Sequence, residues 1–152
     1  METVHDLGLV ATTVTTGLMA GVYLAFAIAV MPGLARNSDR TYVEVMRGMN
    51  IAILNGWFAI VFGGPLLLGI VTVLTGLDED DLVWVLVAVV LYAVTLAITA
   101  GVNVPLNNRL DTTEPVEEAR ALFEQRWVRW NAVRTLVCVA SFVVLVVALI
   151  RL

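Results

Sequence analysis

Residues 82–104 read LVWVLVAVVLYAVTLAITAGVNV, without a single charged side chain. A helix of this length spans the roughly 30 Å hydrocarbon core of a bilayer, for which about 20 apolar residues suffice. Three further stretches repeat the pattern, at 7–31, 51–74 and 132–150, and Arg134 is the only charged residue in them. The chain is 60% hydrophobic and 14% charged over 152 residues, with a mean hydropathy of +0.91. Four buried helices in a water-soluble domain of this size would need amphipathic elements to cover them, and none remain. The sequence therefore predicts an all-α membrane protein, a single four-helix transmembrane bundle. Its helices run over about 7–31, 51–74, 82–104 and 115–150, the last extended into the cytoplasm with its membrane part from about 132.

The flanks set an orientation. There is no lysine, and outside the apolar stretches the arginines fall in two segments, Arg36, Arg40 and Arg47 after the first helix and Arg109, Arg120, Arg126 and Arg129 after the third, with only Arg151 at the C-terminus. Under the positive-inside rule both segments face the cytoplasm and both termini lie outside, in a plasma or inner membrane. The flank METVHD carries no Lys or Arg and the apolar run behind it is long for a cleavable signal, so the first helix is expected to stay in the mature chain. The net charge of −4 rests on acids in connecting segments, and DEDD at 78–81 reads as a solvated turn.

Organisation within the bundle is also legible. Pro32 and Pro105 follow the first and third helices, each with an arginine four residues on, and asparagines at Asn50 and Asn131 precede the second and fourth. This reads as a parallel repeat of two helical hairpins. Thr13, Gly17, Gly21, Ala25 and Ala29 recur every four residues on the first helix, as Ala93, Ala97 and Gly101 do on the third. Such stripes let backbones approach; either helices 1 and 3 pack through them, or one serves a contact between copies. Gly63, Gly64 and Pro65 are expected to bend the second helix. Ser38 or Asp39 is suited to cap an interfacial turn, and Pro115 with Glu117 and Glu118 to open the fourth helix.

Polar side chains are costly in hydrocarbon, so those retained there point to function. On helix 4, Trp127, Asn131, Arg134, Cys138 and Ser141 follow three- and four-residue spacings that put them on one face. On helix 3, Tyr92, Thr95, Thr99 and Asn103 form a similar line, and on helix 1 Thr12, Thr16 and Tyr23 do so. With Asn50, Asn55 and Trp57 of helix 2, and Asn107, Asn108, Arg109 and Trp130 near the arginine-rich end, these converge on the mouth of a cavity inside the bundle. The competing reading is that asparagines and tryptophans merely cap and anchor helices at headgroup depth and that Arg134 snorkels outward.

Other chemistries find no support. The one histidine, His5, reads as an exposed terminal residue and cannot supply paired ligands for haem or zinc. There is no phosphate loop, nucleophile elbow or cysteine pair, and Cys138 alone says nothing of compartment. The apolar stretches hold no carboxylate, and no basic surface suits a nucleic acid.

Four stretches, VMPGLAR at 30–36, NGWF at 55–58, NVPLNNRL at 103–110 and RWVRWNAVRT at 126–135, resemble the DUF1772 or anthrone oxygenase family of four-helix membrane proteins. They lie in order over nearly the whole chain. Gly56 departs from the Asn-Pro-Trp-Phe that is common there. The resemblance implies oxidation of an anthrone to an anthraquinone by molecular oxygen, a monooxygenase reaction with neither metal nor flavin as cofactor. An enolised anthrone is electron-rich enough to reduce oxygen itself, so the protein need only bind it, favour its anion and exclude water. On that reading Arg134 stabilises the phenolate, while Asn103 and Asn131 bond the carbonyl or reduced oxygen. Trp127, Trp130 and Trp57 stack on the rings, and Asn50, Asn55, Asn107, Asn108, Arg109 and Tyr92 complete the pocket. The partners are then membrane lipid and a small hydrophobic aromatic ligand. The alternative is a non-enzymatic membrane protein that binds a lipid-like ligand or assists another membrane complex.

Overall fold

A computed structural model describes residues 2–151, and among them every regular element is helical. The order is α1 (Glu2–Ala25), a π-helical segment (Phe26–Val30), α2 (Met31–Leu34), α3 (Asp39–Ala52), α4 (Gly56–Thr75), α5 (Leu82–Ile98), a second π segment (Thr99–Asn103), α6 (Val104–Thr112) and α7 (Val116–Ile150). Four rods are long and apolar enough to cross a membrane, Thr3–Leu34, Gly56–Thr75, Leu82–Thr112 and Val116–Ile150. Around the bundle α1 neighbours α4, α4 neighbours α5, α5 neighbours α7, and α7 closes on α1.

Two expected boundaries move for physical reasons. Pro32 and Pro105 do not end their helices; each stands two residues beyond a π segment, and the rods continue to Leu34 and Thr112. Proline lacks an N–H and its ring crowds the carbonyl four residues back, here Ile28 and Gly101. A widened π turn holding those carbonyls absorbs the clash without breaking the rod. The two π–proline units occupy equivalent places in the two hairpins. Elsewhere the hairpins diverge: the second apolar stretch, expected to be helical from Ile51, breaks near Leu54, whereas α7 is continuous. At the break Asn55 N-caps α4, its Oδ1 accepting from the Phe58 amide at 3.0 Å and its Nδ2 donating to the Ala52 carbonyl at 2.8 Å. The helix α4 runs unbroken through Gly63, Gly64 and Pro65.

The segment after α2 is a packed element rather than a turn. Ser38 accepts from the Thr41 amide at 3.3 Å and starts α3, whose Tyr42, Val43 and Met46 bury against Leu106 and Leu110 of α6 and Phe123 and Trp127 of α7. Burial pushes the Tyr42 phenol well above its usual range, with the Glu124 carboxylate adding to the effect. Two arginines fasten this cap. Arg120 pairs with Asp39 at 2.8 Å and Glu124 at 2.7 Å and donates to the carbonyls of Ala35 and Asn37. Arg47 donates to the carbonyls of Leu110 and Thr113 and to Glu114 at 2.9 Å. Both guanidinium forks satisfy carbonyls left open where helices end.

At the opposite end the structure corrects two expectations. His5 is 1% exposed, not a free terminal residue, and Asp81 is 3% exposed, although Asp78, Glu79 and Asp80 of the same run are solvated. The His5 Nε2 faces both Asp81 carboxylate oxygens at 3.1 Å, and its Nδ1 lies 3.1 Å from the Thr72 carbonyl. Both ring nitrogens are thus engaged, which ties the start of α1 to the end of α4 and the start of α5. Gly76 leaves room for the ring, since a Cβ there would collide with it.

The small-residue stripes are also corrected. The first and third rods are diagonal in the bundle, so their stripes do not meet; Ala93, Ala97 and Gly101 face outward. On α1 a Cβ at Gly17 would meet the Phe142 ring of α7 at 2.8 Å, while one at Gly21 would meet nothing within 4 Å. A four-residue step advances about 40° around a helix, so a stripe of five residues drifts off its interface. Close approach is carried instead by Gly8 against Thr72 and Gly69 against Val89, at 2.8 and 2.6 Å for an added Cβ.

Candidate functional site

The polar lines turn inward and the apolar surfaces outward. Trp127, Asn131, Arg134, Cys138 and Ser141 are all buried, as are Tyr92, Thr95 and Asn103 of the third rod and Thr12, Thr16 and Tyr23 of the first. Towards the α1–α5 end of the seam the groups close on the backbone, Ser141 donating to the Ala88 carbonyl at 2.8 Å and Thr12, Thr13 and Thr16 to carbonyls one turn back. Towards the arginine-rich end they do not close, and a cavity of about 670 Å³ lies between the π segments, the start of α4, α6 and α7. That volume is in the range of sites that bury a drug-sized molecule. Leu54 and Val104 belong to its wall and are exposed, so it opens between the α3–α4 connection and α6.

Arg134 is the central group. It is 7% exposed and lines the cavity, bonded only to neutral partners. Its Nε and Nη2 donate to Asn131 Oδ1 at 3.0 and 2.9 Å, and Nη1 donates to Thr99 Oγ1 at 3.3 Å. The guanidinium lies over the Tyr23 ring at 4.3 Å and the Trp127 ring at 5.2 Å. Among the described residues no carboxylate comes within 4.0 Å of it. Asn103 stands in the same wall, 1% exposed, with neither its Oδ1 nor its Nδ2 bonded. A buried amide with both ends open is costly.

The other residues divide. Asn50, Asn55, Asn107, Asn108 and Trp127 line the cavity. Trp127 is held by donating its Nε1 hydrogen to Asn107 Oδ1 at 2.9 Å and by packing on Phe26 and Phe123. Asn131 does not reach the cavity; it grips Arg134 from behind, its Nδ2 on the Tyr23 carbonyl at 3.4 Å. Tyr92 also stands outside, donating to the Phe62 carbonyl at 2.6 Å and so bracing α5 against α4. Trp57 is 82% exposed and faces away, and Trp130 and Arg109 are exposed as well, so none of the three is brought to the cavity. The helix break at Asn55 rotates Phe58 inward in place of Trp57.

Sequence reasoning missed the aromatic pair in the lining, Phe58 and Phe62 stacked at 5.4 Å; their four-residue spacing was a signal, hidden in an all-apolar stretch. It also missed Asp111 at the mouth, which accepts from Asn50 Nδ2 at 3.1 Å. Thr99 and Tyr23 join the site, with Tyr23 Oη and Thr99 Oγ1 3.4 Å apart. The cavity lining thus combines an apolar aromatic pair with a cationic, hydrogen-bonding group.

A family model described as anthrone oxygenase matches residues 55–144, more than half of the chain and all of it that carries Asn55, Asn103, Trp127 and Arg134. No curated protein and no solved structure matches.

Proposed function

The chain belongs to the anthrone oxygenase family, and from that premise we propose that it is a membrane oxygenase that oxidises an anthrone-like planar aromatic with molecular oxygen, without metal or flavin. The observation that carries this reading is Arg134, a cation held at 7% exposure on the cavity wall with no anion of its own. The substrate lies between the Phe58–Phe62 wall and the Arg134–Tyr23–Trp127 wall. Loss of a proton from the methylene carbon gives the enolate, whose oxygen takes the guanidinium as counter-charge; Asn103 supplies a further hydrogen bond. Preorganised donors in a dry site are worth far more than in water. The enolate carbon then reduces oxygen: one oxygen atom ends in the new carbonyl, the other leaves as water with both methylene hydrogens, and the carbon is oxidised as dioxygen is reduced. The proton lost in enolisation passes to solvent through the mouth, where Asp111 is the carboxylate among the lining residues, and an equivalent proton returns to complete the water.

We further infer that the arginine-rich end faces the cytoplasm with both termini outside, in a plasma or inner membrane. The test of activity is oxygen uptake by purified protein with dithranol or emodin anthrone, measured against spontaneous oxidation in protein-free detergent. A rate above that background, saturating in substrate, is expected. A wild-type rate equal to background would remove the oxygenase and leave a four-helix membrane protein that binds a hydrophobic ligand.

A further inference from the structure

We propose that the cavity is an anion site selective for the conjugate bases of flat hydrophobic acids in general, aromatic carboxylates included, and that neutral molecules of the same shape are held weakly. The inference rests on the reading of the cavity as the ligand site, but not on any oxidation taking place there.

Three observations carry it. First, Arg134 is buried, lines the cavity and has only an amide oxygen, a hydroxyl and two aromatic faces for company. A buried cation without a counter-ion is retained at a large desolvation cost. Second, Asn103 belongs to the same wall, and its covered amide has no hydrogen-bond partner among the described residues. Third, the lining also carries the stacked rings of Phe58 and Phe62, which bear no polar side-chain atom, so the site offers apolar aromatic surface beside its one cation. The only acid in the lining, Asp111, is exposed at the mouth and engaged with Asn50. A ligand entering as an anion completes the Arg134 ion pair; a neutral one leaves the cation uncompensated. For the oxygenase this holds the enolate once it has formed and releases the uncharged quinone, and it makes aromatic carboxylates competitive inhibitors.

The probes are 1-naphthoate and its uncharged isostere 1-naphthamide, titrated into the full-length protein in detergent against protein-free micelles. Wild type is expected to bind naphthoate at least about tenfold more tightly, the scale of one charge-assisted hydrogen-bonded contact. Arg134→Gln, checked for unchanged melting, should erase the preference, and Asn103→Leu should weaken naphthoate while sparing naphthamide. Equal affinities in wild type overturn the proposal without needing any variant, as does a preference that survives in folded Arg134→Gln. Oxygen uptake is scored separately: anion preference without uptake leaves the site and removes the oxygenase, whereas uptake without anion preference does the reverse.

Discussion

At the scale of single residues the structure separates groups that touch the cavity from groups that serve them. Asn131 and Arg134 sit one turn apart, yet only the arginine faces the cavity, with both donors nearest Asn131 committed to its Oδ1. Asn131 is thus a positioning residue, and Asn131→Leu should lower oxygen uptake through a misdirected guanidinium. The tryptophans make a sharper contrast. Trp127→Ala removes a cavity wall and should cut uptake about tenfold or more, because a substrate shifted by an ångström loses its alignment; Trp57→Ala, at an exposed position, should leave it unchanged. The His5–Asp81 pair works elsewhere, joining α1 to the start of α5 across Thr72 of α4. His5→Leu leaves a buried carboxylate without its partner, a change that typically costs about 3 kcal/mol or more. The expected result is a lower melting temperature in detergent with unaltered affinity for 1-naphthoate; loss of naphthoate binding in the folded variant would tie this end to the cavity.

At the scale of elements, packing is carried by a few close approaches rather than by whole stripes. Gly17→Leu meets the Phe142 ring and should destabilise by roughly 1–3 kcal/mol, the usual range for overpacking, whereas Gly21→Leu finds open space and should melt like wild type. Equal effects at the two positions would contradict this placement of α1 against α7. How far the sequence revealed these elements follows from the kind of signal each left. The polar seam on α7 was legible because three- and four-residue spacing fixes a helix face whatever the tertiary contacts. The break at Asn55 was not, since it depends on a side chain turning back to cap Phe58, and apolar residues on either side mask it. The π segments were hidden because proline ordinarily signals a stop, and only the rod's continued packing overrides it. Arg47 and Arg120 were read as markers of orientation; that they also clamp the ends of α6 and α2 needed partners more than sixty residues away.

At the scale of the whole molecule, hydroxyls, amides, one guanidinium and the His5–Asp81 pair share the interior with apolar side chains, while the outer surface of the rods is largely Leu, Val and Ile. Four spans were readable because charge is segregated along the chain; His5 was not, because its acid partner lies in the one run that otherwise looks solvated. Orientation is checked in a Cys138→Ala background, where an impermeant thiol reagent on intact cells should modify Glu79→Cys and spare Ser38→Cys and Thr112→Cys; the reverse pattern would invert the topology. The central claim, that Arg134 in the cavity supplies the charge on which oxidation depends, is tested most directly by oxygen uptake with dithranol in purified Arg134→Ala beside wild type and Arg151→Ala. The account predicts a fall of about 10² or more for Arg134→Ala, the scale for removing one preorganised oxyanion partner, and no change for Arg151→Ala, which stacks on Trp84 at the opposite end. Full activity in folded Arg134→Ala would contradict it.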